Sequence, residues 1–513
     1  MLLLSLVGMS EAAIPDTVAV TESQTTARAL DRWFVRGLAW SAVSKGGTQL
    51  LSWASTLVVA RLLTPDDYGL VAMAGVYLGL VSLLSEFGLG AAVVIFRDLS
   101  EEQMGQLNGL SLLFGLGSFL ASCALAVPLG NFFRASQLSL VVVALSSTFL
   151  ITAFKIVPHG LLSRDMRFKT LALIDMTQAL VLAVAMIVFA VAGLRYWTLV
   201  LGGVLGALTS TLATVKVRPA RFAWPRLKPL RQAIALSSHV IASRLAWYAS
   251  SNADFLVAGR FLGKAALGLY QFGWTLANIP VDKATALAVQ VSAPLVSAVQ
   301  AELFALRRYL LRITEGIALV TFPVTIGLAL VAQDFVLLAL GPKWEGAIAP
   351  LRLLAGYAAF RSIVPLLPLV LVSIKDSKFV MWNSVFSAIV MPVSFYVAAS
   401  RWGTVGLGMA WVLIYPLIAA PVFWRVFQKI ELSAKTYFRA LWPALSGTAL
   451  MAAVVLAVKT FGSQHWSLGL RLTTQVASGA VTYGLACLVW HRKPLTAFYQ
   501  VVMAARRGPE AAT

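Results

Sequence analysis

Residues 171–193 read LALIDMTQALVLAVAMIVFAVAG, an apolar run interrupted only near its start by Asp175 and a few uncharged polar side chains. Coiled as an α-helix at 1.5 Å per residue, such a run is about 35 Å long, enough to cross a hydrocarbon core of about 30 Å. A membrane-spanning β-strand would show segments of about ten residues alternating apolar and polar, and this run does not alternate. Runs of the same kind recur near 37–60, 69–95, 107–129, 137–157 and 196–216, then near 233–258, 266–298, 316–333, 349–372, 379–400 and 403–424, and last near 440–458 and 472–490. Of 513 residues 59% are hydrophobic and 12% charged, with a mean hydropathy of +0.82, far from the composition of a soluble domain. The expected fold is an all-α integral membrane protein of about fourteen transmembrane helices, because only a helix or a closed barrel satisfies its backbone inside lipid.

The formal charge of +20 and the pI near 10.2 would suggest nucleic acid in a soluble protein. In a membrane protein Lys and Arg gather in cytoplasmic loops, so here charge reports topology and no nucleic-acid partner is expected. With the N-terminus in the cytoplasm, the loops on that side hold 27 Lys and Arg, and the opposite loops hold 9. This bias predicts both termini on the cytoplasmic face of a bacterial inner membrane. Cys123 and Cys487 lie inside apolar runs and read as packing residues. Met1–Gly8 is apolar but lacks the basic segment of a signal peptide, and Met9 is an alternative start.

An internal repeat organises the spans. Ser44-Lys45, Arg61-x-Leu63 and Gly69-Leu70 recur as Ser243-Arg244, Arg260-x-Leu262 and Gly268-Leu269, all at one offset of 199 residues. Six spans per half preserve orientation, so the halves are expected to be related by a pseudo-two-fold axis along the membrane normal. The predicted division is a cytoplasmic tail (1–36), a six-helix lobe (37–217), a basic linker (218–232), a second six-helix lobe (233–426), two additional helices (427–491) and a cytoplasmic tail (492–513). The segment Lys216 to Arg231 is basic and rich in proline, which forbids one continuous helix. It reads as an orientation anchor or as a lid that attracts anionic head groups.

Four stretches carry a resemblance: Ala60-Arg-Leu-Leu-Thr-Pro-Asp-Asp-Tyr-Gly69, Ser85-Glu-Phe-Gly-Leu-Gly-Ala-Ala92, Gly160-Leu-Leu-Ser-Arg-Asp-Met-Arg-Phe-Lys169 and Gly341-Pro-Lys-Trp-Glu-Gly346. In order and spacing, over roughly residues 35–430, the chain resembles the Wzx-type polysaccharide exporters, nearest their colanic-acid exporter-like subgroup. The superfamily (MOP) also holds the lipid II flippase and the MATE drug exporters. The resemblance implies a flippase that moves undecaprenyl-diphosphate-linked oligosaccharide units from the cytoplasmic to the periplasmic leaflet for exopolysaccharide or lipopolysaccharide synthesis. A polysaccharide polymerase and a chain-length regulator are candidate partners, and with two Cys, four His and no metal-ligand cluster in any loop, no metal or cofactor is expected. Each stretch also has a plain reading: Thr64-Pro65-Asp66-Asp67 starts a helix, and Trp344 would be an interfacial ring.

Five basic residues fall inside proposed spans: Lys45, Arg244, Lys283, Arg352 and Arg361. A charge at membrane depth costs several kcal/mol unless it meets a partner or a wet cavity. Lys45 and Arg244 are repeat equivalents and are expected to face each other across a central cleft, where a diphosphate needs counter-charge. Lys283 and Arg361 are further candidate substrate-binding residues, while Arg352, near a span end, is expected to snorkel. Glu86, Asp254 and Asp282 are the candidate coupling or charge-balancing residues. The competing reading is local pairing, of Glu86 with Lys45 and of Asp282 with Arg244, near whose depth Lys283 also lies. Pro280, Pro294, Pro323, Pro365 and Pro368 are expected to interrupt spans.

An enzyme is not expected. A membrane glycosyltransferase or polymerase needs a sizeable loop, the longest inter-span segments here run to about 20 residues, and no loop holds paired acids. Gly259-x-x-x-Gly263-Lys264 lacks a spacer residue and the Ser/Thr of a phosphate-binding loop. A MATE-type cation antiporter would place carboxylates in its cavity, whereas the span from Gly37 to Ala60 holds one Lys and no acid.

Overall fold

The computed structural model describes residues 47, 49, 51–86, 90, 93–94, 99–225, 248, 251–298, 302–462 and 466–490. Every regular element among them is helical. In chain order these are α1 (Leu51–Leu62), α2 (Pro65–Glu86), α3 (Glu101–Phe132), α4 (Gln137–Arg164), α5 (Phe168–Val191), α6 (Trp197–Val217), α7 (Ala253–Val257, running into a π-helical turn at Ala258–Leu262), α8 (Gly263–Ala298), α9 (Leu303–Ala339), a 3-10 turn (Pro342–Ala347), α10 (Ile348–Ile363), α11 (Leu366–Ser373), α12 (Ser377–Lys429), α13 (Ala434–Ala457, ending in a π turn at Val458–Gly462) and α14 (Leu468–Trp490). Ten stretches among the described residues are long and apolar enough to cross a membrane. The 53 residues of α12 would extend about 80 Å as one rod. Gly403, at φ 58° and ψ −138°, a conformation that glycine alone adopts readily, divides α12 into two span-length pieces.

Burial separates spans that face lipid from spans that form the core. In α5 only 17% of the apolar window is buried, and Leu180, Val184, Val188 and Val191, spaced three to four residues apart, form an exposed apolar stripe. The span Pro342–Ser373 is 61% buried and lies innermost. The main core joins α2, α4, α8, α9, α10 and α12, with Leu70, Met73, Tyr270, Trp344 and Phe395 fully enclosed.

Proline breaks fewer helices than expected. α8 continues through Pro280 and Pro294, and α9 through Pro323; only Pro365 coincides with a break, between α10 and α11, while Pro368 sits in the first turn of α11. The reason is visible at Pro323, which has no N–H for the carbonyl of Leu319 one turn back. The Tyr483 hydroxyl of α14 donates to that oxygen at 2.7 Å.

The turns at 61–64, 258–263 and 341–347 gather at one end of the bundle, the far end. The first part of the linker packs at the near end, where Ala223 N–H donates to Gly105 O at 3.1 Å and Arg221 pairs with Glu101 at 2.8 Å. Helix C-termini leave carbonyls without partners, and the far end satisfies them across the two halves. Trp344 Nε1 donates to Ala60 O at 2.8 Å, Lys343 Nζ to Arg61 O at 2.6 Å, and Arg61 Nη1 to Leu338 O at 2.9 Å. Trp344 is therefore no interfacial ring: it is fully buried, edge-on to Tyr68 at 5.3 Å and tilted over Phe272 at 4.7 Å.

The same end holds the closest approach of the halves. A Cβ at Gly69 would stand 1.7 Å from Lys264 O, and a Cβ at Gly268 1.9 Å from Pro65 O. These contacts are reciprocal, because Lys264 and Gly268 follow Pro65 and Gly69 by the 199-residue repeat offset. Only an axis relating equivalent positions makes residue i touch the equivalent of j while j touches the equivalent of i. Glycine lets the backbones of α2 and α8 meet on that axis.

Candidate functional site

From Gly268, α8 runs toward the near end and reaches Asp282 after about 21 Å of helix rise. Trp274, Asn278 and Asp282 are four residues apart and share one face of it. Arg361 of α10 lies against that face: its Nη1 is 2.8 Å from Asp282 Oδ1 and donates to Asn278 Oδ1, and its guanidinium stands 5.9 Å from the centre of the Trp274 ring. The Asp282 side chain is 55% exposed and that of Arg361 29%, so the pair borders open space. Lys283, beside it, is exposed. Among the described residues the partner of Asp282 is thus Arg361, from a different helix. Lys45 and Arg244 lie outside the described residues, as does the side chain of Glu86, whose backbone closes α2.

Asp254 is handled differently. It is fully buried in α7, and its hydrogen-bond partners among the described residues are neutral donors. Tyr270 Oη donates to Oδ2 at 2.7 Å, Trp411 Nε1 donates to the same oxygen at 3.0 Å, and the Phe255 N–H reaches Oδ1 at 2.9 Å. Trp411 Nε1 also lies 3.0 Å from Tyr270 Oη, closing a triangle of α7, α8 and α12. Trp274, Tyr357 and Tyr415 pack around Trp411, with centroids 4.8–5.5 Å away. Trp274 therefore touches both the buried acid's aromatic shell and the exposed Arg361 pair. Arg352 bonds Gln333 Oε1 at 3.2 Å near the far end, away from both groups.

Consecutive helical residues are about 100° apart, so Phe360 turns away from the face that carries Arg361. It lines an apolar groove of about 750 Å³ between α10, the second half of α12 and α13, with Phe423, Trp424, Phe427, Phe438 and Leu445 among its walls. A charged pair and an apolar trough thus sit on two sides of one helix. Sequence reasoning passed over Asn278, Trp274, Tyr270 and Trp411. For the first two a signal was present, since Trp274-x3-Asn278-x3-Asp282 is a polar stripe in an apolar span.

Comparison with known proteins adds the family. The sequence profile of the polysaccharide biosynthesis proteins matches residues 58–349, more than half of the chain. The chain belongs to this family. The match takes in the far-end turns, Asp254 and the Arg361-facing stripe of α8. Among relatives, the teichuronic acid biosynthesis protein TuaB of Bacillus subtilis is 25% identical over 466 residues, covering 88% of this chain and 95% of that one. The lipopolysaccharide biosynthesis protein WzxC of Escherichia coli is 24% identical over 426 residues, covering 80% and 84%. Among solved structures, the lipid II flippase MurJ in an inward closed conformation superposes with a TM-score of 0.71 at 12% identity, covering 89% of this chain and 99% of that one. The chain shares its fold with that flippase, and the protein is a multi-pass membrane protein.

Proposed function

We propose that this protein flips undecaprenyl-diphosphate-linked oligosaccharide units from the cytoplasmic to the periplasmic leaflet of an inner membrane, by alternating access between lobes 37–217 and 233–426. The observation that carries this reading is the asymmetry along α8. At Gly268 the halves touch backbone to backbone. About 21 Å further on, the same helix presents the half-exposed Asp282 against Arg361. One end is sealed and the other offers charge beside open space, as expected of a carrier open toward the near end. The near end is cytoplasmic by the loop charge bias, and both termini lie there.

A diphosphate brings about two negative charges and several acceptor oxygens. Arg361 meets it by exchanging Asp282 for phosphate oxygen, with Lys283 alongside, and Lys45 and Arg244 complete the cationic lining. The pair holds Arg361 beside the open space while the cavity is empty. The chain carries out transport and no covalent step, and its product passes to a polysaccharide polymerase and chain-length regulator.

The test is flipping in proteoliposomes, using a fluorescent undecaprenyl-diphosphate oligosaccharide and an impermeant quencher. Arg361→Ala is expected to slow flipping roughly tenfold to a hundredfold, since a charged hydrogen bond contributes about 1.5–3 kcal/mol. Arg361→Lys should keep part of the activity. Vesicles that extrude ethidium and leave the glycan lipid in place would overturn the reading.

A further inference from the structure

At the far end, away from the site above, the described residues bring Arg352, Lys459 and Arg471 around one carboxylate. Asp334, in the last turns of α9, is buried. Its Oδ1 is 3.1 Å from Arg471 Nη2, and its Oδ2 accepts from Gln475 Nε2 at 2.8 Å, both from α14. Lys459, in the π turn after α13, donates to Leu330 O at 3.3 Å, one turn before Asp334, and stands within electrostatic reach of Arg352, Asp334 and Arg471. Arg352 comes in from α10 through its bond to Gln333.

A latch tying α14 to α9 would be complete with Asp334, Arg471 and Gln475 alone. Three features exceed a latch. Three cations gather where these helices end, and of the three Arg471 is the one at ion-pair distance from the carboxylate. Arg471 lies in the first turn of α14, whose free N–H groups and dipole add positive potential at the same place. Two buried polar atoms have no partner among the described residues, Arg471 Nε and Gln475 Oε1, the latter on a side chain with no exposure. One is a spare donor for an anionic oxygen, and the other a spare acceptor for a hydroxyl on the same ligand.

We propose that this cluster is a binding site for the phosphate headgroup of an anionic bilayer lipid, held between α9, α10 and the α13–α14 pair at the far-end membrane surface. Arg352 and Lys459 supply the reachable charge, Arg471 the fixed one, and Asp334 holds Arg471 in place. The apolar groove gives the acyl chains somewhere to lie. Ile326 of α9, Gly356 of α10 and Ala452 of α13 line it, and the cluster stands eight, four and seven residues farther along the same helices. At 1.5 Å per residue the headgroup site is about 6–12 Å beyond the end of the groove. The site is separate from the transport cavity and does not rest on the transport reading.

The test is native mass spectrometry of the full chain in detergent, titrated with phosphatidylglycerol, with diacylglycerol of the same chains and with glycerol 3-phosphate. Arg352→Gln with Lys459→Gln leaves the Asp334, Arg471 and Gln475 contacts intact. Lys435→Gln with Arg439→Gln removes the same charge from the exposed near end of α13. The first pair is expected to weaken the tightest phosphatidylglycerol site about tenfold, as losing a charged hydrogen bond does, and the second to leave it unchanged. Diacylglycerol should not fill the site. Equal losses in both pairs, equal binding of diacylglycerol, or glycerol 3-phosphate binding as tightly as the whole lipid would each overturn the assignment.

Discussion

Asp254 and Asp282 are both carboxylates in the second lobe, and their surroundings pose opposite electrostatic problems. Asp282 is half exposed and ion-paired with Arg361 from a neighbouring helix, so its charge is already answered in this conformation. Asp254 has no exposure and is held by a phenol, an indole and a backbone amide, which stabilise a carboxylate but bring no positive charge. Moving an ion out of water costs several kcal/mol even after relaxation, and neutral donors offset only part of that. An acid left in this state inside a membrane is a place where a proton or a small cation can act. An acid already paired is a place where another anion can compete. On this comparison we propose that Asp254 couples transport to its driving ion and that Asp282 responds to the arrival of substrate.

The largest effect is expected at Asp254. Asp254→Asn preserves shape and most of the donor contacts while removing charge and titration, so gradient-driven flipping should vanish while the protein stays inserted and at least as heat-stable as wild type. Flipping at the wild-type rate would end the comparison, because Asp254 would then be a structural acid only. Next in size is Tyr270→Phe, which deletes the 2.7 Å donor to Oδ2. Its cost in unfolding free energy should be about 1.5–3 kcal/mol in the wild-type background and about 1 kcal/mol beside Asp254→Asn, since a hydrogen bond to a charge is worth more than one to an amide. A double-mutant cycle measured by chemical denaturation checks this, and equal costs in both backgrounds would mean that Asp254 carries no charge in the resting protein.

Hydropathy alone exposed the helices, because lipid imposes one rule on every span: satisfy the backbone within the segment. The repeat was legible as well, since Gly69 and Gly268 stand at the same offset as the other repeated residues; that these glycines touch was not, because contact depends on where the axis passes. Side-chain partners were hidden for the same reason. Arg361 finds Asp282 from 79 residues away, Asp254 finds Trp411 across 157, and Trp344 donates to a carbonyl 284 residues earlier. A tryptophan in a Gly-Pro-Lys-Trp turn looks interfacial until the turn is seen to plug a helix end. The prolines misled because their cost is local and the remedy is not. At Pro323 the remedy is Tyr483, and here a smaller effect is expected. Tyr483→Phe should cost about 1 kcal/mol by orphaning Leu319 O, and that cost should disappear beside Pro323→Ala, whose amide restores the missing donor. An unchanged cost would assign the hydroxyl some other role.

The smallest effect is expected at Asp282, and its sign matters more than its size. An ion pair this exposed contributes only about 0.2–1 kcal/mol, because water screens it and both side chains must be held in one geometry. Asp282→Asn should therefore leave stability nearly unchanged. It also frees Arg361 from its anionic competitor, so the diphosphate no longer has to displace a carboxylate. Substrate affinity, measured with the glycan lipid in detergent, should rise by as much as about fivefold, the equivalent of that same energy. Flipping should change little or slow slightly, since a headgroup held more tightly on the cytoplasmic side leaves less readily. The opposite outcome, weaker binding in Asp282→Asn, would show that Asp282 orients Arg361 for the phosphate instead of competing with it. Asp282 would then belong with Asp254 among acids that the transport cycle needs, and the contrast between a coupling carboxylate and a competing one would fail.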